Sequence, residues 1–311
     1  LADLTSAGIL DTAERYDEKL LVCWRVLGFA DEEPACWKNK ALFASFADYY
    51  CAQLSTRDVR LCMVEGKPEP AAVQHPKGII PVNGNAKLIS ANDTSGFTYR
   101  GRFSEEWQAA SVGYMASQKA HNALRWLASD QGVREFSGNR IFLCWNPQGK
   151  AIPKPMRRLR GAEMQVQWKP SDYQKQLKGT LLSVRQDQQL SDKDTAILVS
   201  FDAATTGRLS VTYYNELSLG TFLERMRTWD AHCCWYAGKY GIQAPNLFQI
   251  VECAFGTQRG NFLETDDRIQ RQHLQRLLNC KVSGGVFPQD IVKVLAERAS
   301  MPLAYEEAVW R

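Results

Sequence analysis

AILVSF at residues 196–201 and GRLSVTYY at residues 207–214 are joined by the short polar segment DAATT at 202–206. Both runs are rich in β-branched and aromatic residues, which predicts two strands that are adjacent in the chain. A third apolar run, RIFLCW at 140–145, follows a Gly-Asn turn signal and predicts a buried strand. These three segments place a sheet in the middle of the protein.

The predicted sheet region extends toward the N-terminus, over residues 77–103. Residues 79–82 are apolar and extended in character, and Asn83-Gly84-Asn85 is a strong hairpin-turn signal because Asn and Gly tolerate positive φ. Residues 87–90 then predict a returning strand. We therefore expect a polar hairpin whose tip and returning strand occupy residues 83–92.

Helices surround this region. Ser104 is a suitable N-cap for a helix to about residue 129, and the two acidic residues that follow it suit the N-terminal helix dipole. Helical patterns also cover residues 37–54, 171–190, 221–236, 246–254, 268–279 and 288–299. The expected fold class is α+β, with a mixed sheet region flanked by helices and then a helical region. We expect one domain over 1–218, and over 219–311 the start of a helical C-terminal domain.

Composition limits the class of protein. The 311 residues are 45% hydrophobic and 23% charged, which is typical of a globular protein, and the net charge of +4 permits a nucleic-acid partner. The nine cysteines are scattered without a CxxC pair, which favours reduced thiols over disulfides or a zinc site. The first residues form no signal-peptide pattern, and no apolar run suits a membrane helix, so we expect a cytoplasmic protein. Because the chain begins at Leu1 and ends inside a helical pattern, we expect a fragment of a longer chain.

Catalytic signatures are not found in the sequence. The four histidines fall in no HExxH or HxH pattern, and there is no GxSxG, Walker or GxGxxG motif. We therefore expect a protein that is not an enzyme and that binds no metal or cofactor. A metal-dependent nuclease or another hydrolase stays open as an alternative, because residues distant in sequence can meet in space.

Two regions are candidates for binding nucleic acid. In the first, Asn and Lys side chains can bond base edges, Gly permits close approach to a groove, and nearby cations can hold phosphates. The second is a run of arginines suited to phosphate contacts. The ordinary alternatives are a solvated hairpin and a solvated surface loop. The candidate residues of the first region are Asn83, Gly84, Asn85, Lys87, Ser90, Asn92, Lys77, Tyr99, Arg100 and Arg102, and those of the second are Arg157, Arg158 and Arg160.

In their order along the chain, several motifs resemble the large subunit of the type I-C CRISPR Cascade. The resemblance begins with His75-Pro76-Lys77-Gly78, the turn at Gly84 and Leu88-Ile89-Ser90-Ala91-Asn92, where the family has Phe in place of Ala91. It continues collinearly to about Arg311 through ALRWL at 123–127, RIFLCW at 140–145, GRLSV at 207–211, LER at 223–225, Trp229, Ala244-Pro245, residues 250–256, Leu277-Leu278, Gly284-Gly285, Pro288 and RAS at 298–300.

The resemblance implies a non-catalytic subunit of a crRNA-guided surveillance complex. It implies recognition of the protospacer-adjacent motif in double-stranded DNA, promotion of R-loop formation and recruitment of the helicase-nuclease. Guide pairing then supplies most of the sequence specificity. The implied partners are target DNA, crRNA, the backbone, handle-binding and small subunits, and transiently the helicase-nuclease. A purely structural module that docks other subunits is the alternative.

By this resemblance, Asn83, Asn85, Lys87 and Asn92 are expected to make base-edge or minor-groove contacts. Lys77, Arg100 and Arg102 are expected to clamp nearby phosphates. Arg157, Arg158 and Arg160 are expected to hold phosphates of the duplex or of the displaced strand.

Overall fold

A four-stranded antiparallel sheet organises the protein, in the strand order β3-β4-β5-β6. The computed structural model describes residues 6–7, 23–27, 33–54, 56, 58–80, 85–90, 101–130, 133–134, 139–161, 165–203, 205 and 207–304. The strands of this sheet are β3 (Val133–Arg134), β4 (Arg140–Trp145), β5 (Thr195–Asp202) and β6 (Ser210–Ser218). The three strands predicted from the apolar runs are therefore confirmed, and so is the α+β fold class.

Helices and three small hairpins complete the described fold. The hairpins pair β1 (Val59–Leu61) with β2 (Pro68–Pro70), β7 (Trp235–Tyr236) with β8 (Ile242–Gln243), and β9 (Thr257–Arg259) with β10 (Phe262–Glu264). The α-helices are α1 (Lys40–Leu54), α2 (Glu106–Ala109), α3 (Tyr114–Asp130), α4 (Pro170–Asp187), α5 (Leu219–His232), α6 (Leu247–Phe255), α7 (Asp267–Ser283) and α8 (Gln289–Ala299), and short 3-10 turns lie at Gly238–Tyr240 and Pro302–Ala304. Within the described residues, no helix has the length and apolarity needed to cross a bilayer.

The central sheet separates two hydrophobic cores, because successive side chains on a strand point to opposite faces. On one face, Phe142 and Leu198 pack among residues of α4 to α8. On the other face, Ile141 and Phe201 pack with Ile79, Ala86 and residues of α3. The first core joins side chains from both sides of residue 218, and the division into domains at that residue stays a prediction.

Polar caps define the helices that cover the first face. Ser218 Oγ accepts the Thr221 amide at the start of α5, and Asn246 and Gln249 form a reciprocal capping box at the start of α6. Asp266 caps α7, which ends at Gly284 in the left-handed conformation, with a φ of 71°. These local signals explain why the predicted helices of the C-terminal third were found close to their expected bounds.

The predicted helix from 104 to 129 is wrong as a single element, because it is interrupted between α2 and α3. Residues 111–113 are not helical and pair with the first hairpin region: the Met63 amide donates to the Ser111 carbonyl, and the Ala72 amide donates to the Val112 carbonyl. A side chain at Gly113 would meet Glu69 at 2.1 Å. Tertiary pairing therefore overrides the helical propensity at this point.

The strands predicted over 79–82 and 87–90 are also wrong wherever the structure describes these residues. Residues 77–80 and 85–90 form isolated bridges rather than a regular ladder, pairing Lys77 with Lys87 and Lys87 with Arg208. The Lys87 amide donates to the Gly207 carbonyl, and its own carbonyl accepts from the Leu209 amide. The backbone amide and carbonyl of Lys87 are thus both hydrogen-bonded to the segment preceding β6. These two groups are therefore not available for a regular hairpin ladder.

Candidate nucleic-acid interface

The first candidate region surrounds a cavity of about 330 Å³, here called the hairpin-side cavity. Its walls come from the first small hairpin, the segment after it, residues 87–90, and α2 with the residues that follow. Its lining residues are Asp58, Arg60, Ala71, Ala72, Val73, Gln74, His75, Lys87, Ile89, Ser90, Glu106, Trp107, Ala110, Ser111 and Val112. Basic, acidic and amide groups therefore face one concave surface.

Lys77, Asn85 and Lys87 are brought together where the chain reverses. Lys77 Nζ donates to Asn85 Oδ1 at 2.9 Å, and Lys77 pairs with Lys87 in an antiparallel bridge. Arg125 of α3 fixes the entry to this reversal, since its guanidinium donates to the carbonyls of Lys77 at 2.8 Å and Gly78 at 3.2 Å. Arg125 therefore holds the backbone that carries the Lys77 side chain, and Lys77 in turn binds Asn85.

The other predicted residues of this region are distributed as follows. Ser90 lines the hairpin-side cavity together with Lys87. Arg102 is exposed before α2, with its guanidinium carbon 5.4 Å from the centroid of the Phe103 ring. Asn83, Gly84, Asn92, Tyr99 and Arg100 lie outside the described residues.

Two histidines and a serine form a polar cluster beside the cavity. His75 Nδ1 lies 2.8 Å from Ser117 Oγ, and His121 Nδ1 lies 2.7 Å from the Ser117 carbonyl oxygen. The two imidazole rings are stacked with centroids 5.8 Å apart. Burial, with smaller contributions from His121 and Lys87, lowers the pKa of His75 to about 4. His75 is therefore neutral at pH 7, and the positive charge at this end of the cavity comes from Lys87.

This arrangement predicts a dependence of stability on pH. The pKa of His75 is about 4 when folded and 6.5 ordinarily, so the unfolded chain binds the proton more readily. The contribution of neutral His75 is fully present above pH 6.5 and is lost as the pH falls toward 4. Urea unfolding between these pH values should show a smaller loss of stability for His75→Asn than for the wild type. His232→Asn, at an exposed histidine, should lose as much stability as the wild type over the same pH range. An equal loss for His75→Asn would contradict the prediction.

The second candidate region is the arginine segment, residues 157–160. It borders a cavity of about 510 Å³, which we call the arginine cavity. Polar groups from α4 and from the cap of α6 complete the walls. The lining residues are Ala151, Ile152, Pro153, Lys154, Arg157, Arg158, Leu159, Arg160, Thr180, Val184, Asp187, Gln188 and Asn246. Four cations thus face a cavity to which Asp187 contributes the one carboxylate among its described lining residues.

Electrostatic repulsion within this segment favours an anionic ligand. Burial and the neighbouring Arg160 charge lower the pKa of Arg158. Within the described part of the chain, no ion pair involves Lys154, Arg157 or Arg160. A phosphate placed here would gain charge-assisted hydrogen bonds and relieve the repulsion between the guanidinium groups.

A buried ion pair lies directly beneath the arginine segment. Lys281 Nζ of α7 donates to Asp230 Oδ1 of α5 at 3.0 Å, and both side chains are fully buried. The same lysine donates to the Arg157 carbonyl at 3.1 Å, while Asp230 Oδ2 accepts the Leu159 amide at 2.6 Å. Desolvation lowers the pKa of Lys281, and the Asp230 charge opposes this shift. Two helices therefore hold the backbone that presents the arginines.

The two candidate regions lie against opposite faces of the central sheet. Ile79 and Ala86 of the first region belong to the core with Ile141, whereas Met156 and Leu159 of the second belong to the core with Phe142. The structure therefore brings Lys77, Asn85, Lys87 and Ser90 together, and brings Arg157, Arg158 and Arg160 together. It does not merge the two groups into one site.

Sequence reasoning missed several residues of these sites. Arg60 lies with its guanidinium carbon 4.9 Å from the Trp107 ring centroid, on the wall of the hairpin-side cavity. Asp230 and Lys281 gave no signal, because a charged residue in an amphipathic helix normally indicates the solvated face. Nothing in the sequence distinguished Trp107 from the other tryptophans, of which the chain has nine in all.

Comparison with known protein families gives a match over nearly the whole chain. A family model described as CRISPR-associated protein (Cas_Csd1) matches residues 4–308. The match includes residues 4–74, which precede the region of resemblance found from the motifs. No curated protein matches the chain.

Proposed function

Because the chain belongs to the Cas_Csd1 family of CRISPR-associated proteins, the large subunits of type I-C Cascade, we propose that it senses the protospacer-adjacent motif in double-stranded DNA. In this proposal the subunit is non-catalytic and acts in the cytoplasm. It promotes R-loop formation, contacts crRNA together with the other subunits, and helps to recruit the helicase-nuclease. The guide RNA supplies the remaining specificity through base pairing.

The observation that carries this proposal is the cluster of Lys77, Asn85 and Lys87 at the supported chain reversal. Amide and ammonium groups of this kind can bond base edges, and the adjoining cavity offers a concave surface for a groove edge or a displaced base. Arg125 holds the carbonyls of residues 77 and 78, so less conformational entropy is lost on binding.

In this proposal the arginine segment contributes affinity rather than motif specificity. Phosphate contacts fix the position of a protein on nucleic acid but carry no direct sequence information. Arg157, Arg158 and Arg160 lie across the sheet from the lysine cluster, so they suit a different stretch of the bound nucleic acid.

The motif-sensing role is tested by Asn85→Ala/Lys87→Ala in the assembled complex. We expect this variant to lose the preference for duplexes with a correct flanking motif by about tenfold, because each specific base contact contributes about 1–3 kcal/mol of discrimination. The measurement is the affinity for target duplexes with and without the motif. Asn279→Ala/Lys293→Ala, which makes the same two changes on α7 and α8, should keep the preference. An unchanged preference in the first variant would remove motif sensing from this cluster.

Docking to other Cascade subunits is a second role, and α1 favours it. Phe43 and Phe46 on this helix are more than half exposed, and Leu42 and Tyr49 are also exposed. Exposed apolar side chains grouped on one helix are typical of a protein-protein contact. Family membership places the chain in a complex with other Cas subunits, and we propose α1 as part of that contact.

A further inference from the structure

The β7–β8 hairpin, residues 235–243, presents aromatic side chains to solvent. Trp235 is 79% exposed and Tyr240 is 55% exposed. Tyr and Trp are enriched at binding interfaces, since each buries much apolar area and also carries a polar group. Neither residue belongs to the two candidate regions predicted from the sequence.

This hairpin is bonded to and packed against residues 165–168, which precede it in the chain. The Ile242 amide donates to the Gln167 carbonyl at 2.6 Å, and the Ala237 amide donates to the Gly241 carbonyl at 2.7 Å. Gly241 has a φ of 66°, and a side chain there would meet the Gln167 carbonyl oxygen at 2.2 Å. The Tyr236 and Trp168 rings pack with centroids 6.0 Å apart. The exposed aromatic groups are therefore presented on a preorganised backbone.

The hairpin also adjoins the arginine segment. Trp235 pairs with Gln243 across the two strands, so both side chains lie on the same face. Gln243 Oε1 accepts a hydrogen bond from Arg158 Nη1. A small cavity of about 270 Å³ lies between the two elements and is lined by Arg158, Leu159, Arg160, Gly161, Gln165, Val166, Tyr173, Tyr240, Ile242 and Gln243.

The charge of this surface is positive. The described residues that line the small cavity include two guanidinium groups and no carboxylate. Lys239 adds a further cation, with Nζ 5.2 Å from the centroid of the Tyr240 ring. A surface that combines exposed rings with guanidinium groups suits nucleic acid, because bases stack on aromatic rings and phosphates form charge-assisted hydrogen bonds with arginine.

We propose that Trp235 and Tyr240, together with Arg158 and Arg160, form a binding site for single-stranded nucleic acid. The aromatic rings stack on unpaired bases, and the guanidinium groups hold the phosphates between them. A duplex is a poor ligand for this surface, because its bases are already stacked inside the helix. The site rests on the proposed function only in its use of the two arginines. The two aromatic residues add contacts to bases, which the proposed function does not include.

The test uses the purified full-length subunit and fluorescein-labelled oligonucleotides of about ten nucleotides, a length within the range of known single-strand sites. Fluorescence anisotropy measures the affinity for oligo(dT), for oligo(rU) and for an abasic DNA strand of equal charge. Trp235→Ala/Tyr240→Ala should weaken oligo(dT) or oligo(rU) binding by about tenfold or more, because base-aromatic stacking contributes about 1–3 kcal/mol per base. Binding of the abasic strand should change by less than about twofold.

Each outcome has a distinct meaning. A tenfold loss for oligo(dT) identifies a DNA strand as the ligand, and a loss for oligo(rU) identifies RNA. Phe262→Ala, at an aromatic residue on β10 that is 62% exposed, should keep wild-type affinity for all three probes. Equal losses for normal and abasic strands, or none, would overturn the proposal. Unchanged oligonucleotide binding with weaker association of the other subunits would identify a protein interface instead.

The abasic strand also separates this inference from the function proposed for the arginine segment. Loss of phosphate binding would lower the affinity of the abasic strand in variants of Arg158 and Arg160. Loss of stacking would leave that affinity intact. The two ideas can therefore fail independently.

Discussion

Lys281→Met is expected to lower the free energy of unfolding by about 3–5 kcal/mol, because it leaves the buried Asp230 carboxylate without its cationic partner. Lys281 and Asp230 are both fully buried, and their charged atoms lie 3.0 Å apart. The substitution also removes the hydrogen bond to the Arg157 carbonyl, so the backbone of the arginine segment loses one of its supports.

Urea denaturation at pH 7 measures this effect. The matched control is Lys175→Met, which breaks the exposed ion pair with Asp172 and should cost less than about 1 kcal/mol. The double variant Lys281→Met/Asp230→Leu should recover part of the lost stability, since a buried pair replaced by apolar groups is often close to neutral. If Lys281→Met cost no more than Lys175→Met, the buried pair would not have the structural role given to it here.

Arg157→Ala/Arg158→Ala/Arg160→Ala is expected to weaken nucleic-acid binding by the assembled complex by about one hundredfold at low salt. Each phosphate contact contributes about 0.9 to the slope of log affinity against log salt concentration on duplex DNA, or about 0.7 on a single strand. The triple variant should therefore reduce the magnitude of that slope by about 2 to 3. The measurement is the affinity for target DNA over a series of salt concentrations.

A matched control removes three arginines that already have carboxylate partners. Arg227, Arg259 and Arg276 pair with Glu224, Glu264 and Asp290, respectively. Their triple replacement by alanine changes the net charge by the same amount, so it tests whether position or total charge matters. Equal losses for the two triple variants would mean that the arginine segment acts only through the overall charge of the protein.

The salt series also distinguishes the two roles proposed for the subunit. If the subunit only docks other proteins, the triple variant of the arginine segment should leave the salt dependence of DNA binding unchanged. If the segment contacts phosphates, the affinity loss should be similar for duplexes with and without the flanking motif, because phosphates carry no base identity. Of the variants described, only Asn85→Ala/Lys87→Ala should then change the preference for the flanking motif.

The secondary structure of the C-terminal two thirds was largely predictable because its signals are local. The apolar strands β4, β5 and β6 and the capped helices α6 and α7 are recognised from a few neighbouring residues each. The break between α2 and α3 was not predictable, since it comes from pairing with residues 63 and 72. Competition between local propensity and a distant partner cannot be judged from either segment alone.

For the candidate site too, some features were visible in the sequence and others depended on the fold. The basic character of Lys77, Lys87 and Arg157 to Arg160 is visible in the sequence, and so is the resemblance to the Cascade large subunit. Their placement on opposite faces of the sheet was decided by packing, since Ile79 and Ala86 belong to the core with Ile141, whereas Leu159 belongs to the core with Phe142.

The sequence alone therefore determined the α+β class, the central strands and the basic segments, because composition and periodicity act over a few residues. The family resemblance came separately, from the order of its motifs along the chain. Tertiary structure alone decided that Lys281 is buried against Asp230, 51 residues away, and that the exposed Trp235 pairs with Gln243, which binds Arg158. Burial depends on which elements pack against a side chain, and that is a property of the assembled chain. For this reason the arginines could be named from the sequence, whereas the ion pair that supports them and the aromatic residues beside them could not.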